Sequence, residues 1–228
     1  MNNVISYFKF DLRLIKESIK FYVLAPAIFC ALFMFSGSIY MGLSYLFFFL
    51  IIFATIPFST QSNEKSTQMY YMFPCKVSEM VCGRFLYLIS IAAVLFLIDG
   101  VIIAYLYTVQ KFHGFEVIVM SFCGILSLIT CFIQYPIYYK FGMEKGKAIS
   151  ILVYLLPAFL IFGLPSFLFE SGSFSIENFI NSLNYIFSNS VELILIAALI
   201  LCVAGYLSYL ISYKICKSKE IWLINTSR

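Results

Sequence analysis

The sequence predicts an all-α integral membrane protein. It has six transmembrane helices, an amphipathic interface helix before the first, and a re-entrant or interfacial helical segment between the fifth and sixth. Three observations predict this. The 228 residues are 62% hydrophobic and only 11% charged, where a soluble domain carries roughly 25% charged residues. The uncharged apolar runs are long enough to cross a bilayer, which takes about 20 residues for roughly 30 Å of hydrocarbon. The basic residues gather in alternate connecting segments, as the positive-inside rule requires.

Residues 3–20 read as a helix that precedes the first span. Val4, Ile5, Phe8, Leu12, Ile15 and Ile19 fall in one sector about 100° wide, and Lys9, Arg13, Lys16 and Lys20 fall together on the neighbouring sector. An apolar stripe beside a basic stripe suits a helix in the headgroup layer. Basic residues before an apolar run resemble a signal peptide. No small-x-small cleavage site follows, however, and a second span begins at once.

The spans are predicted over 20–36, 39–58, 84–109, 116–139, 148–169 and 191–213, all in one transmembrane domain covering 1–228. Gly37 and Ser38 alone separate the first two, which makes them a tight antiparallel hairpin. With the N-terminus inside, the inner segments hold fourteen of the fifteen basic residues, and Lys111 alone lies outside. Glu116, Glu170, Glu177 and Glu192 fall in or beside the outer segments. Both termini are therefore expected in the cytoplasm. Between spans five and six, Pro165 strains any continuing helix. Ile176, Phe179, Ile180, Leu183 and Phe187 then recur at helical spacing. A short helix that enters or lies on the outer membrane surface accounts for that stripe.

Signatures of catalysis and metal binding are missing from the sequence. There is one histidine, His113, in a short outer loop. Neither HExxH nor GxSxG occurs. The seven cysteines (30, 75, 82, 123, 131, 202 and 216) form no CxxC pair and lie mostly in apolar runs, so they read as small buried hydrophobes. The run from Gly142 to Ala148, GMEKGKA, superficially resembles a phosphate loop. It has one residue too few between its glycines and lacks the Ser or Thr that would hold magnesium. The chain is accordingly expected to be no enzyme, with no metal and no cofactor of its own. Its net charge of +4 is spread between spans and indicates no nucleic-acid partner. The Asn225-Thr226-Ser227 sequon falls on the cytoplasmic side and carries no weight.

Two features invite function. Asp99 lies in VLFLIDGVII, about 22 Å along the helix from Arg84 at 1.5 Å per residue. A carboxylate at that depth costs at least about 2.5 kcal/mol facing lipid, so it faces protein or a wet cavity, or is protonated. Either it lines a transport path or serves as an ion site, or it fixes a helix contact with Gln134 or Thr130. The second feature is the polar segment 59–84, STQSNEKSTQMYYMFPCKVSEMVCGR, between spans two and three. Glu64 and Lys65 precede Tyr70, Tyr71, Phe73 and Pro74; then come Lys76, Glu79 and Arg84, with Val77, Met80 and Val81 as a small apolar face. A helix–Pro–helix element of this kind suits another protein's groove, and equally an interfacial connector touching headgroups.

The order acidic–basic pair, aromatic–Pro, then Glu-apolar-Val-x-x-basic-aromatic is carried here by Glu64, Lys65, Phe73, Pro74, Glu79, Met80, Val81, Arg84 and Phe85. It resembles the first cytoplasmic loop of small bacterial permeases of type 2 ABC exporters. The elbow helix, six spans and membrane-dipping outer segment also resemble that family. The match departs after the proline, where Cys75-Lys76-Val77 stands in place of the usual Ser or Thr followed by a base. The resemblance implies a permease that forms a homo- or heterodimer and binds separate cytosolic ATPase subunits, which would hold the ATP and magnesium. It implies that the 59–84 loop is the coupling helix, set in a multi-pass protein of the bacterial cell membrane. Permeases of this size are similar to exporters of amphipathic peptides, including phenol-soluble modulins and antimicrobial peptides. The 26 Phe and 17 Tyr suit an apolar cavity and lipid contact equally. Two other readings stand beside it: an ion-coupled secondary transporter using Asp99, and a non-transporting immunity or scaffold protein.

Overall fold

A computed structural model of the chain describes residues 2–16, 19–35, 39–59, 76–109, 114–158 and 190–226. Among these residues every element is helical: α1 (Asn2–Lys16), α2 (Ile19–Phe35), α3 (Ile39–Ser59), α4 (Val77–Thr108), α5 (Gly114–Ala158) and α6 (Ser190–Thr226). Among the described residues three stretches are long and apolar enough to cross a membrane: Val77–Thr108, Met120–Val153 and Leu195–Lys219. The bounds of α2 and α3 fall within a residue of the first two expected spans. The outer stripe around residues 165–190, His113, and Glu64 through Pro74 lie outside the described residues, Ser190 apart.

Helix direction follows from which residues meet. Phe58 near the end of α3 packs its ring 5.1 Å from that of Tyr139 on α5, edge-on. Phe85 near the start of α4 meets Tyr135 at 5.1 Å. Further along, Phe96 of α4 lies against Phe47 of α3 at 4.8 Å and fills the space beside Gly124 of α5. So α3 and the first arm of α5 run toward a common end from which α4 departs. Ser208 of α6 donates its hydroxyl proton to the Phe132 carbonyl, and Lys219 donates to the Tyr139 carbonyl at 2.6 Å. These two contacts set α6 parallel to the first arm of α5. The main core lies at this common end, around Leu50, Phe58, Val81, Phe85, Tyr135 and Cys216.

The run Gly114–Ala158 is continuous in helical assignment, yet it is not straight. Gly142 has φ 73° and ψ −177°, a backbone region open essentially to glycine alone. A Cβ on Gly146 would sit 3.7 Å from the Tyr138 Cα. Eight residues of straight helix would hold those positions about 12 Å apart. The chain therefore turns back at Gly142, and the two arms, 114–141 and 143–158, leave the corner as a hairpin. That corner stands where the sequence predicts the connection between spans four and five. The second arm continues as far as Ala158, beyond which the expected fifth span lies outside the described residues.

Three expected boundaries need correction. Helix α4 begins at Val77, seven residues before the expected third span, because Val77, Met80 and Val81 are core residues. The last helix runs to Thr226, with Tyr213 and Cys216 still packed on the core. The N-terminal helix ends at Lys16, and Lys20 belongs to α2. The position of α1 is set by more than an apolar stripe: its best-buried side chains, Tyr7 and Asp11, form a third face, beside the apolar stripe and away from the basic one.

Candidate functional site

The site grows from the first turns of α4. Pro74 disfavours helix at the residue before it, and Lys76 is extended, with φ −68° and ψ 140°, leaving Val77 as the first helical residue. Glu79, at the third helical position, accepts the Lys76 backbone N–H at 3.3 Å, satisfying one of the donors that a helix start leaves open. The same carboxylate oxygen accepts a bond from the Asn3 side-chain amide at 3.1 Å. The residue expected to face a partner therefore also ties α4 to α1.

The contact between these two helices runs on in register. After Asn3 and Glu79, Tyr7 meets Gly83 so closely that a Cβ on the glycine would lie 2.7 Å from the Tyr7 Cβ and 3.0 Å from the Val4 carbonyl oxygen. Next, Asp11 Oδ2 lies 3.5 Å from Arg84 Nε, with the two side chains 0% and 1% exposed. Residue numbers rise together on both chains, so α1 and the start of α4 lie side by side and parallel. Lys9 and Arg13 remain exposed, as do Ile5 and Leu12 on the stripe beside them. The helix thus has one edge on protein, one apolar flank and one basic flank.

Arg84 is the centre of the arrangement. Its guanidinium carbon lies 4.3 Å from the centre of the Phe58 ring and 5.7 Å from that of Tyr139. Both are distances at which a cation is attracted to an aromatic face. This one side chain of α4 therefore meets α1, α3 and α5. Nearby, the carbonyls that end the first arm of α5 carry the negative pole of the helix, and Lys219 bonds one of them. Lys140, Lys145, Lys147, Lys214 and Lys217 are exposed on the same helix ends.

Sequence reasoning placed Arg84 among the partner-facing residues; the structure holds it inside the bundle, at 1% exposure. Asp11 was missed altogether, being one of two acids, with Glu17, amid the basic residues of a helix taken for a surface element. The available signal was its position four residues after Tyr7, which places the two on one edge. The GMEKG glycines also find their reason: Gly142 makes the corner, and Gly146 admits the Tyr138 ring, whose nearest atom lies 2.7 Å from where a Cβ would stand.

Asp99 is buried, and neither carboxylate oxygen has a hydrogen-bond partner among the described residues; the same holds for the Gln134 side-chain amide. The two are not opposite each other. With Phe96 beside Gly124 and Phe85 beside Phe132 and Tyr135, Asp99 is level with the Met120 region, about 21 Å along the axis from Gln134. Thr130 is also displaced, and its hydroxyl donates to the Leu126 carbonyl. Between α4, the first arm of α5 and α6 opens an apolar groove of about 370 Å³, lined by Phe85, Ile89, Phe132, Leu201, Gly205 and Tyr209. Among the described residues no group of His, Cys, Asp and Glu is placed to hold a metal.

A family model described as "ABC-2 family transporter protein" matches residues 8–217. No curated protein and no solved structure matches the chain.

Proposed function

Because this chain belongs to the ABC-2 family of transporter proteins, a membrane permease component and not itself the ATP-hydrolysing subunit, we propose that it moves amphipathic or antimicrobial peptides out of a bacterial cell. It does so as a homo- or heterodimer driven by separate ATPase subunits, which hold the ATP and magnesium. Segment 59–76 is the element that enters the ATPase groove, through Glu64, Lys65, Tyr70, Tyr71, Phe73, Pro74 and Lys76, with Glu79 at its edge. The observation that carries this reading is the buried Arg84 hub just past the segment. A push that reaches the first turns of α4 meets α1, α3 and α5 at that side chain. The basic helix ends support a cytoplasmic orientation of that face and of both termini, with the apolar flank of α1 at the membrane surface. The apolar groove and the many aromatics support a hydrophobic cargo.

The test is a Tyr70→Ala/Tyr71→Ala variant, purified from membranes together with its ATPase. Stimulated ATP hydrolysis is expected to disappear while helical content stays at the parent level. Deleting 70–81 would be a poor test, because Met80 and Val81 are buried in the core. Hydrolysis unchanged in the tyrosine variant removes the coupling role from this loop.

Asp99 favours a second reading. A buried intramembrane acid is a functional-site hypothesis in its own right, and its two oxygens have no hydrogen-bond partner among the described residues. In that reading Asp99 is an ion site and transport follows an ion gradient. Asp99→Asn would then abolish flux driven by a proton or sodium gradient in vesicles without ATP. Under the first reading such flux is absent from the parent as well.

A further inference from the structure

We infer that α1 and the first turns of α4 form one rigid body, locked by Asp11, and that Asp11 is a positioning residue for coupling, acting through Arg84. The inference rests on the ATP-driven reading above and adds a moving part to it: the N-terminal helix. Three contacts fasten the pair. They are the Asn3 amide on the Glu79 carboxylate at 3.1 Å, the Tyr7 side chain in the space left by Gly83, and the Asp11–Arg84 ion pair at 3.5 Å. They occupy successive turns of α1, so neither helix can slide or roll on the other without breaking at least two of them.

The ion pair differs in kind from the other two. A buried carboxylate beside a buried guanidinium has few alternative arrangements, since any displacement leaves charge without compensation in an apolar surround. Interfaces of this sort hold one arrangement or jump to another; they do not creep. Arg84 is also held by the Phe58 and Tyr139 rings. Motion delivered at Lys76 is therefore passed to α3 and α5 through the guanidinium and to α1 through Asp11. The exposed apolar and basic flanks of α1 then carry that motion along the membrane surface.

The experiment uses the full chain in lipid nanodiscs, with native cysteines other than Cys82 replaced and spin labels at Cys82 and Lys9→Cys, both exposed positions. In the chain alone, one narrow distance is expected, and Asp11→Asn is expected to broaden it while leaving helical content intact. In the complex with its ATPase, the distance is expected to stay constant between nucleotide-free and ATP-bound states. A shift of about one helical turn, ~5 Å, on adding ATP would overturn the proposal. So would a narrow distance in Asp11→Asn.

A functional readout separates positioning from simple folding. Asp11→Asn is expected to bind the ATPase as tightly as the parent yet lose about tenfold in stimulated ATP hydrolysis, a size usual for coupling between sites. Asp11→Glu, which keeps the charge, is expected to recover most of that loss. Hydrolysis unchanged in Asp11→Asn, or no recovery in Asp11→Glu, counts against the lock. Should no ATPase be retained by the parent chain, it is the ATP-driven reading that fails, and the nanodisc distances still decide whether Asp11 locks the two helices.

Discussion

Arg84→Ala is expected to destabilise the protein by about 3–5 kcal/mol, the usual result of removing one partner from a buried ion pair. The reasoning starts from what is left behind. Asp11, 0% exposed, would keep a carboxylate in a closed site with its cation gone. The Phe58 and Tyr139 faces would lose a cation whose attraction reaches about 2 kcal/mol when desolvated. Thermal unfolding in detergent, followed by circular dichroism, measures the loss. An informative companion is Asp11→Leu/Arg84→Met, which replaces both charges with apolar side chains. Such exchanges are often neutral or stabilising, so the double variant is expected to melt well above Arg84→Ala. A loss under about 1 kcal/mol in Arg84→Ala would mean that Asp11 reaches water readily, contrary to its burial.

Gly146→Val is expected to cost at least about 2 kcal/mol through overpacking. Its added carbons enter the space of the Tyr138 ring, 2.7 Å away at the nearest atom. That ring cannot simply swing clear, since it packs on Phe58 at 5.3 Å. Combining Gly146→Val with Tyr138→Ala should restore part of the loss. A non-additive term of about 0.5–3 kcal/mol is typical of residues in contact. If the two changes merely add, the arms of the hairpin do not touch at this corner. Gly142→Ala tests the turn itself, at about 1–3 kcal/mol for a side chain forced into that backbone region.

The helical fold class was legible because its cause is one-dimensional: long uncharged runs need the bilayer, and a helix satisfies every backbone group within itself. The boundaries of α4 and α6 were not, because apolar density falls off before helical packing does. Val77, Met80 and Val81 look like a small face in a polar loop until Phe58 and Tyr135 are brought against the same core. The hub was legible only in part. Arg84 stood out as a basic residue at a loop end, a position that normally means exposure. Its burial depends on Asp11 from far away in the chain, and one sequence carries no signal of that pairing beyond a lone acid on the right edge of α1. The Asp99–Gln134 pairing failed for the opposite reason: both residues were identified as buried polar groups, but their relative height depends on the stagger of α4 against α5, which no local pattern reports.

The parallel seating of α1 beside α4 also constrains how the protein is made. Arg84 leaves the ribosome 73 residues after Asp11, a delay of roughly 4–15 s at ordinary synthesis rates. During that interval the Arg84 guanidinium is not there for the acid to meet, and the apolar helices α2 and α3 emerge first. The flank bearing Ile5 and Leu12 is exposed, and an apolar flank beside a basic one is of the kind that adsorbs among lipid headgroups, which would hold the nascent segment until the later helix arrives. The contact between α1 and α4 is therefore closed only after α4 has been made.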